Sequence, residues 1–257
     1  MKNYHTHTYR CKHATGEVVN YANAAIKQGI TVLGITDHTP LPDNRWLGIR
    51  MAIDELPDYV NAIAQAQAKY PQLTILIGAE CEYATEYHSF YLEELLGEWN
   101  FDYLILGPHF FPYQGEWLAS HSDILCKETL KAYTNYLIQS MESGLFAFVA
   151  HPDLFGITYE EWDQHTEACS REILQAAETL NIPLEINGYG LRKPYIHTKS
   201  GTRPMYPWLP FWELAQDYDI EVIVNSDAHR PEDVGANIDD GLAIAKQFNL
   251  KIAKFDF

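Results

Sequence analysis

The sequence predicts an α/β fold in which helices cover the outer face of a mostly parallel β-sheet. Short apolar, β-branched segments alternate with helical patterns along the whole chain, and no flexible linker or block of like charge interrupts them. Because crossovers between parallel strands are right-handed, this order favours a closed or nearly closed β/α barrel over an open doubly wound sheet. The length of 257 residues suits a single domain spanning residues 1–257.

The first helix has the clearest pattern of all the predicted elements. Val18, Tyr21 and Ala25 recur at helical spacing, Thr15 is the predicted N-cap, and Gly29 ends the helix. The predicted strands are residues 2–7, 31–36, 73–78, 101–106, 145–150, 184–186 and 221–224. The helices predicted after the first are residues 54–70, 123–143, 160–180, 207–218 and 233–248. The nearly continuous apolar character of these strands is typical of a parallel sheet.

Acidic residues outnumber basic residues by 35 to 18, which gives a net charge of −17 with neutral histidines. Such a surface repels phosphodiester backbones, so we expect no nucleic-acid polymer as a partner. No segment reaches the roughly 18 apolar residues of a membrane span, and the N-terminus has no signal-like pattern. We therefore expect a cytoplasmic protein with no membrane partner. The four cysteines form no CxxC pair and are predicted to be reduced thiols.

Side chains of metal-ligand type follow six of the seven predicted strands. They are His5, His7, Asp37, His38, Glu80, His109, His151, Asp227 and His229. The carboxyl ends of barrel strands meet on one face, where this architecture places its active site. A lone histidine at a strand end is usually a hydrogen-bonded structural residue. The recurrence of histidine at so many strand ends is what favours a metal centre.

The spacing of these residues agrees with convergence on one centre. Residues two apart on an extended segment point the same way, which pairs His5 with His7 and Asp227 with His229. Adjacent residues point apart, so only one residue of the Asp37-His38 pair is expected to bind metal. We predict His38 as the ligand and Asp37 as the partner that orients a ligand imidazole.

These residues lie in six ordered motifs: His5-Thr6-His7, Thr36-Asp37-His38, Gly78-Ala79-Glu80, Pro108-His109, His151-Pro152 and Ser226-Asp227-Ala228-His229. Together they resemble the motifs of the PHP (polymerase and histidinol phosphatase) superfamily and cover the chain from end to end. Further segments resemble its histidinol-phosphatase branch: Arg10-Cys11-Lys12-His13-Ala14-Thr15-Gly16, Thr39-Pro40-Leu41-Pro42, Arg45-Trp46, Glu55-Leu56-Pro57 and Gly190-Leu191-Arg192-Lys193.

The resemblance implies a distorted (β/α)7, TIM-like barrel with three divalent metal ions. The implied ligands of the first ion are His5, His7, Glu80 and Asp227. Glu80 would bridge to the second ion, whose other ligands are His109 and His151. The implied ligands of the third ion are His13, His38 and His229. Shells rich in imidazole suit Zn²⁺, Fe²⁺ or Mn²⁺ better than Mg²⁺ or Ca²⁺.

Three dications among these ligands leave about +4 of uncompensated charge, which favours a small phosphorylated substrate. The resemblance implies a phosphomonoesterase of histidine biosynthesis that hydrolyses L-histidinol phosphate to L-histidinol and phosphate. A metal-bridging hydroxide would attack the phosphorus atom. The implied catalytic residues are Glu80, Asp227 and His229.

The sixth strand, the one with no ligand at its end, leads into a basic loop. This loop contains Arg192, Lys193, Lys199 and Arg203. We predict that Arg192, the arginine nearest the strand, binds phosphate. Arg45 and Arg50, in the loop after the second strand, are the alternatives. Glu82 shares the parity of Glu80, and it either faces the pocket or is an ordinary strand-end carboxylate.

Two other functions are open at this point. One is another PHP-type phosphoesterase that acts on nucleotides, oligonucleotides or small phosphate esters. The other is a non-catalytic metal-binding or regulatory protein that retains the barrel. The second would predict lost ligands, yet all nine positions carry a suitable residue.

Overall fold

Helical segments separate most of the successive strands along the chain. The computed structural model describes residues 1–199 and 201–255. The chain divides into two compact units. The first contains residues 1–105 and 225–238, and the second contains residues 106–224 and the C-terminal segment from residue 239. The single domain expected over residues 1–257 stays a prediction.

Twelve strands and seven α-helices occur within the described residues. The strands are β1 (Lys2–Asn3), β2 (Val32–Ile35), β3 (Thr74–Cys81), β4 (Tyr103–Leu106), β5 (Phe110–Tyr113), β6 (Glu116–Ala119), β7 (Phe148–Val149), β8 (Leu184–Asn187), β9 (Ile196–Thr198), β10 (Gly201–Arg203), β11 (Glu221–Asn225) and β12 (Lys251–Ile252). The α-helices are α1 (Val18–Lys27), α2 (Leu56–Lys69), α3 (Lys127–Glu142), α4 (Gln164–Leu180), α5 (Tyr189–Arg192), α6 (Leu209–Ala215) and α7 (Ile238–Gln247). Among the described residues, none of these helices has both the length and the apolar character to cross a membrane.

The first unit is built on the neighbouring strands β1, β2, β3 and β4. Strands β1 and β2 pair in parallel with Asn3 opposite Leu33, and β2 pairs in parallel with β3 with Leu33 opposite Ile75. Nearly all residues of β2, β3 and β4 are buried. Beyond the regular strands, isolated parallel bridges join Thr6 to Ala228 and His38 to Glu80. The residues after β1 and β2 are thereby held against the sheet.

The second unit is built on β7, β8, β11 and β12, which are neighbours in that order. β7 pairs in parallel with β8, and β11 pairs in parallel with β12. This unit also holds two antiparallel hairpins, β5–β6 and β9–β10. The hairpins and β12 were not predicted, because their residues are mostly half-buried or exposed and form short runs without an apolar pattern.

The helices begin later than predicted, and local capping gives the reason. The predicted N-cap Thr15 is wrong, because α1 begins only at Val18; Thr15 lies outside the helix, and its N–H donates to the carbonyl of His229 at 2.9 Å. Glu17 caps α1 instead: its carboxylate accepts from the Val18 N–H at 2.7 Å, and the Asn20 side chain accepts from the Glu17 N–H at 2.8 Å. This is the reciprocal pattern of a capping box.

A π-helical segment, Phe90–Glu98, lies between β3 and β4, where no helix was predicted. Its C-terminal hydrogen bond joins the Trp99 N–H to the Glu94 carbonyl at 2.8 Å, five residues back. The apolar residues of such a segment do not repeat with the 3.6-residue period of an α-helix. The sequence of this segment therefore does not show the pattern that predicts an α-helix.

Gly34 on β2 lies where the fold has no room for a side chain. The Tyr103 hydroxyl donates to the Tyr4 carbonyl at 2.6 Å, and a Cβ at position 34 would overlap that hydroxyl oxygen. We expect Gly34→Ala to lower the free energy of unfolding by about 1–3 kcal/mol. Gly48→Ala is the control, because a Cβ at that exposed position meets no atom within 4 Å. Urea unfolding measures both variants, and equal midpoints would contradict the prediction.

Candidate metal centre

Four side chains of the first unit bring donor atoms close together: Nε2 of His5, Nε2 of His7, Oε2 of Glu80 and Oδ1 of Asp227. The two imidazole nitrogens are 3.1 Å apart. Oε2 of Glu80 lies 3.4 Å from His5 and 3.3 Å from His7, and Oδ1 of Asp227 lies 3.5 and 3.3 Å from the same nitrogens. Donors around a tetrahedral zinc ion are about 3.4 Å apart, because its bonds are about 2.0–2.1 Å long. The donors of His5, His7 and Glu80 therefore fit one metal ion, and Oδ1 of Asp227 approaches the same two nitrogens.

Asn3, at the end of β1, fixes the segment that contains Asp227. Its side-chain NH₂ donates to Oγ of Ser226 at 2.7 Å and to the carbonyl of Val234 at 2.7 Å. Its side-chain oxygen accepts from the Ser226 N–H at 3.2 Å. Asp227 has a φ of 48°, in the left-handed region that L residues rarely adopt. The buried bonds of Asn3 stabilise this strained backbone next to His5 and His7.

Three further histidines surround His7. The rings of His38 and His229 lie 4.6 and 4.4 Å from the His7 ring, and one donor atom from each of the three falls within 4.8 Å of the others. Nδ1 of His38 is also 3.1 Å from Oε2 of Glu80. The exposed His13 ring lies 5.3 Å from His38 and 4.9 Å from His229. The structure therefore places the three histidines predicted for the third ion side by side.

The close approach of these groups shifts their pKa values. Burial lowers the pKa of His7, but hydrogen bonds to Asp227 and Glu80 outweigh burial and raise it to about 9. Burial alone would raise the pKa of Asp227, yet the charge of His5 and the bond from His7 hold it well below its usual range. Burial and repulsion from His7 hold the pKa of His229 well below its usual range. A metal ion that binds these donors displaces the proton from His7.

His109 and His151 lie together in the second unit, with ring centroids 4.9 Å apart. The His151 backbone has a φ of 30°, and its N–H donates to the buried Glu185 carboxylate at 3.1 Å. The His109 carbonyl accepts from the Ser120 N–H at 2.8 Å, so the β5–β6 hairpin closes on His109. The two imidazoles expected at the second ion are therefore adjacent.

Both oxygens of the Asp37 carboxylate accept hydrogen bonds from Thr8. They accept from the Thr8 N–H at 2.8 Å and from the Thr8 hydroxyl at 2.6 Å. Asp37 thus fixes the residue directly after His7, and burial raises its pKa to about 6. A carboxylate oxygen of Asp37 also lies within 4.8 Å of a His7 ring nitrogen. Direct orientation of a ligand imidazole by Asp37 stays a prediction.

Arg192 ends the short helix α5 in the second unit. Its guanidinium lies 5.3 Å from the centre of the Tyr189 ring, and the side chain is half-buried. The side-chain oxygen of Asn187 accepts from the Tyr189 N–H at 2.8 Å, which fixes the start of this helix beside the end of β8. The predicted phosphate-binding arginine therefore lies five residues after the end of β8, at the end of α5.

The two alternative arginines are already engaged by carboxylates. Arg45 contacts Asp43 at 2.6 Å and Glu86 at 3.0 Å. Arg50 is fully buried and pairs with the buried Glu82 at 2.8 Å. Glu82 is therefore an ion-pair partner within the fold, and phosphate binding by Arg45 or Arg50 would compete with these ion pairs.

Two basic residues of the loop after β8 differ in their contacts. Arg203 donates to the carbonyls of Gly156 at 2.8 Å and Glu160 at 3.1 Å, and its guanidinium lies 3.9 Å from the Trp208 ring centre. Lys199 is exposed. Arg203 is thus bonded to the fold, while Lys199 keeps a solvent-exposed side chain.

Cys11 is a member of the histidine cluster that the sequence analysis missed. Its Sγ lies within 4.8 Å of a donor atom of His13 and of His229. Burial and the charge of Asp37 raise the pKa of this fully buried thiol to about 12. The signal in the sequence is the Cys11-Lys12-His13 spacing, which a search for paired cysteines does not detect.

Known proteins similar to this chain agree with this architecture. The PHP domain family matches residues 3–188, and the PHP-associated family matches residues 211–237. A probable histidinol-phosphatase from Deinococcus radiodurans is 29% identical over 251 residues, which cover 93% of this chain and 90% of that protein. The histidinol-phosphatase of Bacillus subtilis is 27% identical over 261 residues, which cover 90% of this chain and 94% of that protein.

A crystal structure of histidinol phosphate phosphatase from Lactococcus lactis, complexed with zinc, L-histidinol and phosphate, superposes with a TM-score of 0.75. The alignment covers 99% of this chain and 96% of that chain at 17% identity. This likeness confirms the predicted α/β, TIM-like fold class. Because the PHP domain spans most of its residues, the chain belongs to the PHP domain family.

Proposed function

We propose that this chain is a metal-dependent phosphomonoesterase that hydrolyses L-histidinol phosphate to L-histidinol and phosphate, a reaction of histidine biosynthesis. The observation that carries the proposal is the spacing of 3.1–3.5 Å between the ring nitrogens of His5 and His7 and from those nitrogens to oxygens of Glu80 and Asp227. The names of the Deinococcus and Bacillus relatives and the ligands of the Lactococcus enzyme support the choice of substrate.

Nine side chains are proposed to hold three divalent ions of zinc, iron or manganese. They are His5, His7, His13, His38, Glu80, His109, His151, Asp227 and His229. Bound ions would supply Lewis acidity, which polarises a phosphoryl group and lowers the pKa of water. Glu80, Asp227 and His229 are the proposed catalytic residues among these ligands.

The histidines of this centre would act as ligands and not as general bases. An imidazole nitrogen that gives its lone pair to a metal ion cannot also accept a proton. The buried environment keeps the rings fixed, since His5 and His7 are fully buried and His38 is 4% exposed. Asp37 would support this arrangement through Thr8, the neighbour of His7.

Charge favours a small anionic substrate. The chain carries −17 overall, while three dications would leave the centre itself positive by about 4 charges. A phosphate monoester dianion complements that centre, and the acidic remainder of the chain repels a nucleic-acid polymer. The planar guanidinium of Arg192 would bind two phosphoryl oxygens. A cytoplasmic location is part of this proposal.

Phosphate release measured on a panel of substrates tests the function. Purified protein with defined metal content is assayed against L-histidinol phosphate, nucleotides, sugar phosphates and a phosphodiester. We expect the highest kcat/KM for L-histidinol phosphate. A clear preference for a nucleotide or the diester would contradict the proposal and favour another PHP-type phosphoesterase.

Glu80→Gln tests the proposed bridging ligand. Loss of the carboxylate charge should lower metal affinity by at least about tenfold and reduce activity with it. Elemental analysis after gel filtration measures bound metal, and Glu86→Gln, at an exposed position, is the control. Full metal content together with an unchanged rate would refute the role of Glu80.

Arg192→Ala tests phosphate binding. A guanidinium that contacts the phosphoryl group in the transition state should contribute roughly 10²- to 10⁴-fold to kcat/KM, about 3–5 kcal/mol, without changing metal content. Arg192→Lys should restore part of the loss, because an ammonium cannot make the planar two-point contact. The exposed Lys199→Ala should cost less than about tenfold. Wild-type kinetics in Arg192→Ala would assign phosphate binding to another residue.

A further inference from the structure

The thiol of Cys11 lies among metal-ligand side chains that come from three separate parts of the first unit. Its Sγ and donor atoms of His13 and His229 all lie within 4.8 Å of one another, and a second such group joins Cys11 to His7 and Asp37. Cys11 is fully buried, whereas His13 is exposed to solvent. An ion can therefore enter this group from the solvent side, where His13 lies, and bind the buried sulfur atom of Cys11.

The turn that contains Cys11 presents sulfur and imidazole on the same side. Lys12 adopts a left-handed φ of 68°, which reverses the chain between Cys11 and His13. The Ala14 N–H donates to Sγ of Cys11 at 3.2 Å, so a backbone donor already points at the sulfur atom. Backbone N–H groups directed at a sulfur ligand stabilise its negative charge in metal sites.

Buried contacts fix this turn before any ion binds. The Arg10 guanidinium, 1% exposed, contacts Glu17 at 2.7 Å and Asp58 at 2.6 Å. The Thr15 N–H donates to the His229 carbonyl at 2.9 Å, which joins the turn directly to the segment that contains His229. The three donors are therefore held by rigid neighbours, as a preorganised ligand set requires.

We propose that Cys11 is a thiolate ligand of the ion held by His13 and His229, and that this site selects thiophilic ions such as Zn²⁺, Co²⁺ or Cd²⁺ over Mn²⁺. This inference rests on the metal centre of the proposed function. The thiol proton leaves to solvent as the sulfur–metal bond forms. Thiolate and imidazole donors suit zinc-like ions, whereas manganese prefers carboxylate and water oxygens.

Cobalt substitution provides the test. We expect the Co²⁺-loaded protein to show a thiolate-to-cobalt charge-transfer band in the near ultraviolet, and Cys11→Ser to lose that band. Cys81→Ser is the matched control, because Cys81 is equally buried and its thiol contacts Thr39 at 2.7 Å. Cys81→Ser should keep the band. In metal competition, Cys11→Ser should lower the preference for Cd²⁺ over Mn²⁺ by at least about tenfold.

X-ray absorption on the zinc-loaded wild-type protein gives a second readout that needs no Cys11 variant. A sulfur shell at about 2.3 Å should accompany nitrogen and oxygen at about 2.0–2.1 Å. A variant with serine at Cys81, Cys126 and Cys169 assigns that shell, because Cys11 is then the sole thiol. Retention of the sulfur shell supports the proposal, and its loss overturns it.

The outcomes separate this inference from the proposed function. Cobalt that binds without a charge-transfer band would overturn the role of Cys11, while phosphate release from L-histidinol phosphate would still support the phosphatase. Absence of cobalt binding would overturn the proposed preference of this site for Co²⁺, while phosphate release with zinc, iron or manganese would still support the phosphatase. A band with no phosphate release would support the thiolate ligand and count against the phosphatase.

Discussion

The structure depends on one constraint: two imidazole nitrogens and two carboxylate oxygens are kept close together in its interior. The nitrogens of His5 and His7 lie 3.1 Å apart, and each lies 3.3–3.5 Å from an oxygen of Glu80 and of Asp227, in surroundings that exclude water. Without a cation or proton between them, buried carboxylates are costly. The raised pKa of His7 reflects this need for positive charge. The contacts around the cluster keep those donors from moving apart.

Those contacts come mostly from polar side chains that bond to the backbone. Asn3 holds the segment before Asp227, and Thr8 and Asp37 hold the residue after His7. The Tyr59 hydroxyl donates to the carbonyl of Ile35 on β2 and to the carbonyl of Gly78 on β3, at 2.8 Å each. It thereby links the two neighbouring strands. Buried polar groups with satisfied bonds specify one arrangement. The precision of the candidate centre thus arises from its neighbours.

The sequence predicted the strands of the sheet well, because runs of apolar residues indicate buried strands. It also predicted the clustering of ligand-type residues, because the carboxyl ends of parallel strands lie at the same edge of the sheet. It did not predict the β5–β6 and β9–β10 hairpins, whose half-exposed residues carry no apolar period. It placed Arg203 in a basic loop without assigning it a partner, although the guanidinium bonds to backbone carbonyls. Composition reveals the charge of a side chain but not the partner that it meets. Helix starts were similarly misplaced, as the Glu17 cap shows.

Asp227 and His151 have a left-handed backbone, so selection for stability and selection for metal binding favour different residues at these two positions. With φ values of 48° and 30°, both positions favour glycine on conformational grounds. A mutation to glycine would relieve strain of order 1–3 kcal/mol each while removing a proposed ligand. Selection for stability alone would therefore drift away from this centre. A search for thermostable variants without an activity screen would therefore accept glycine at these two positions at the expense of the centre.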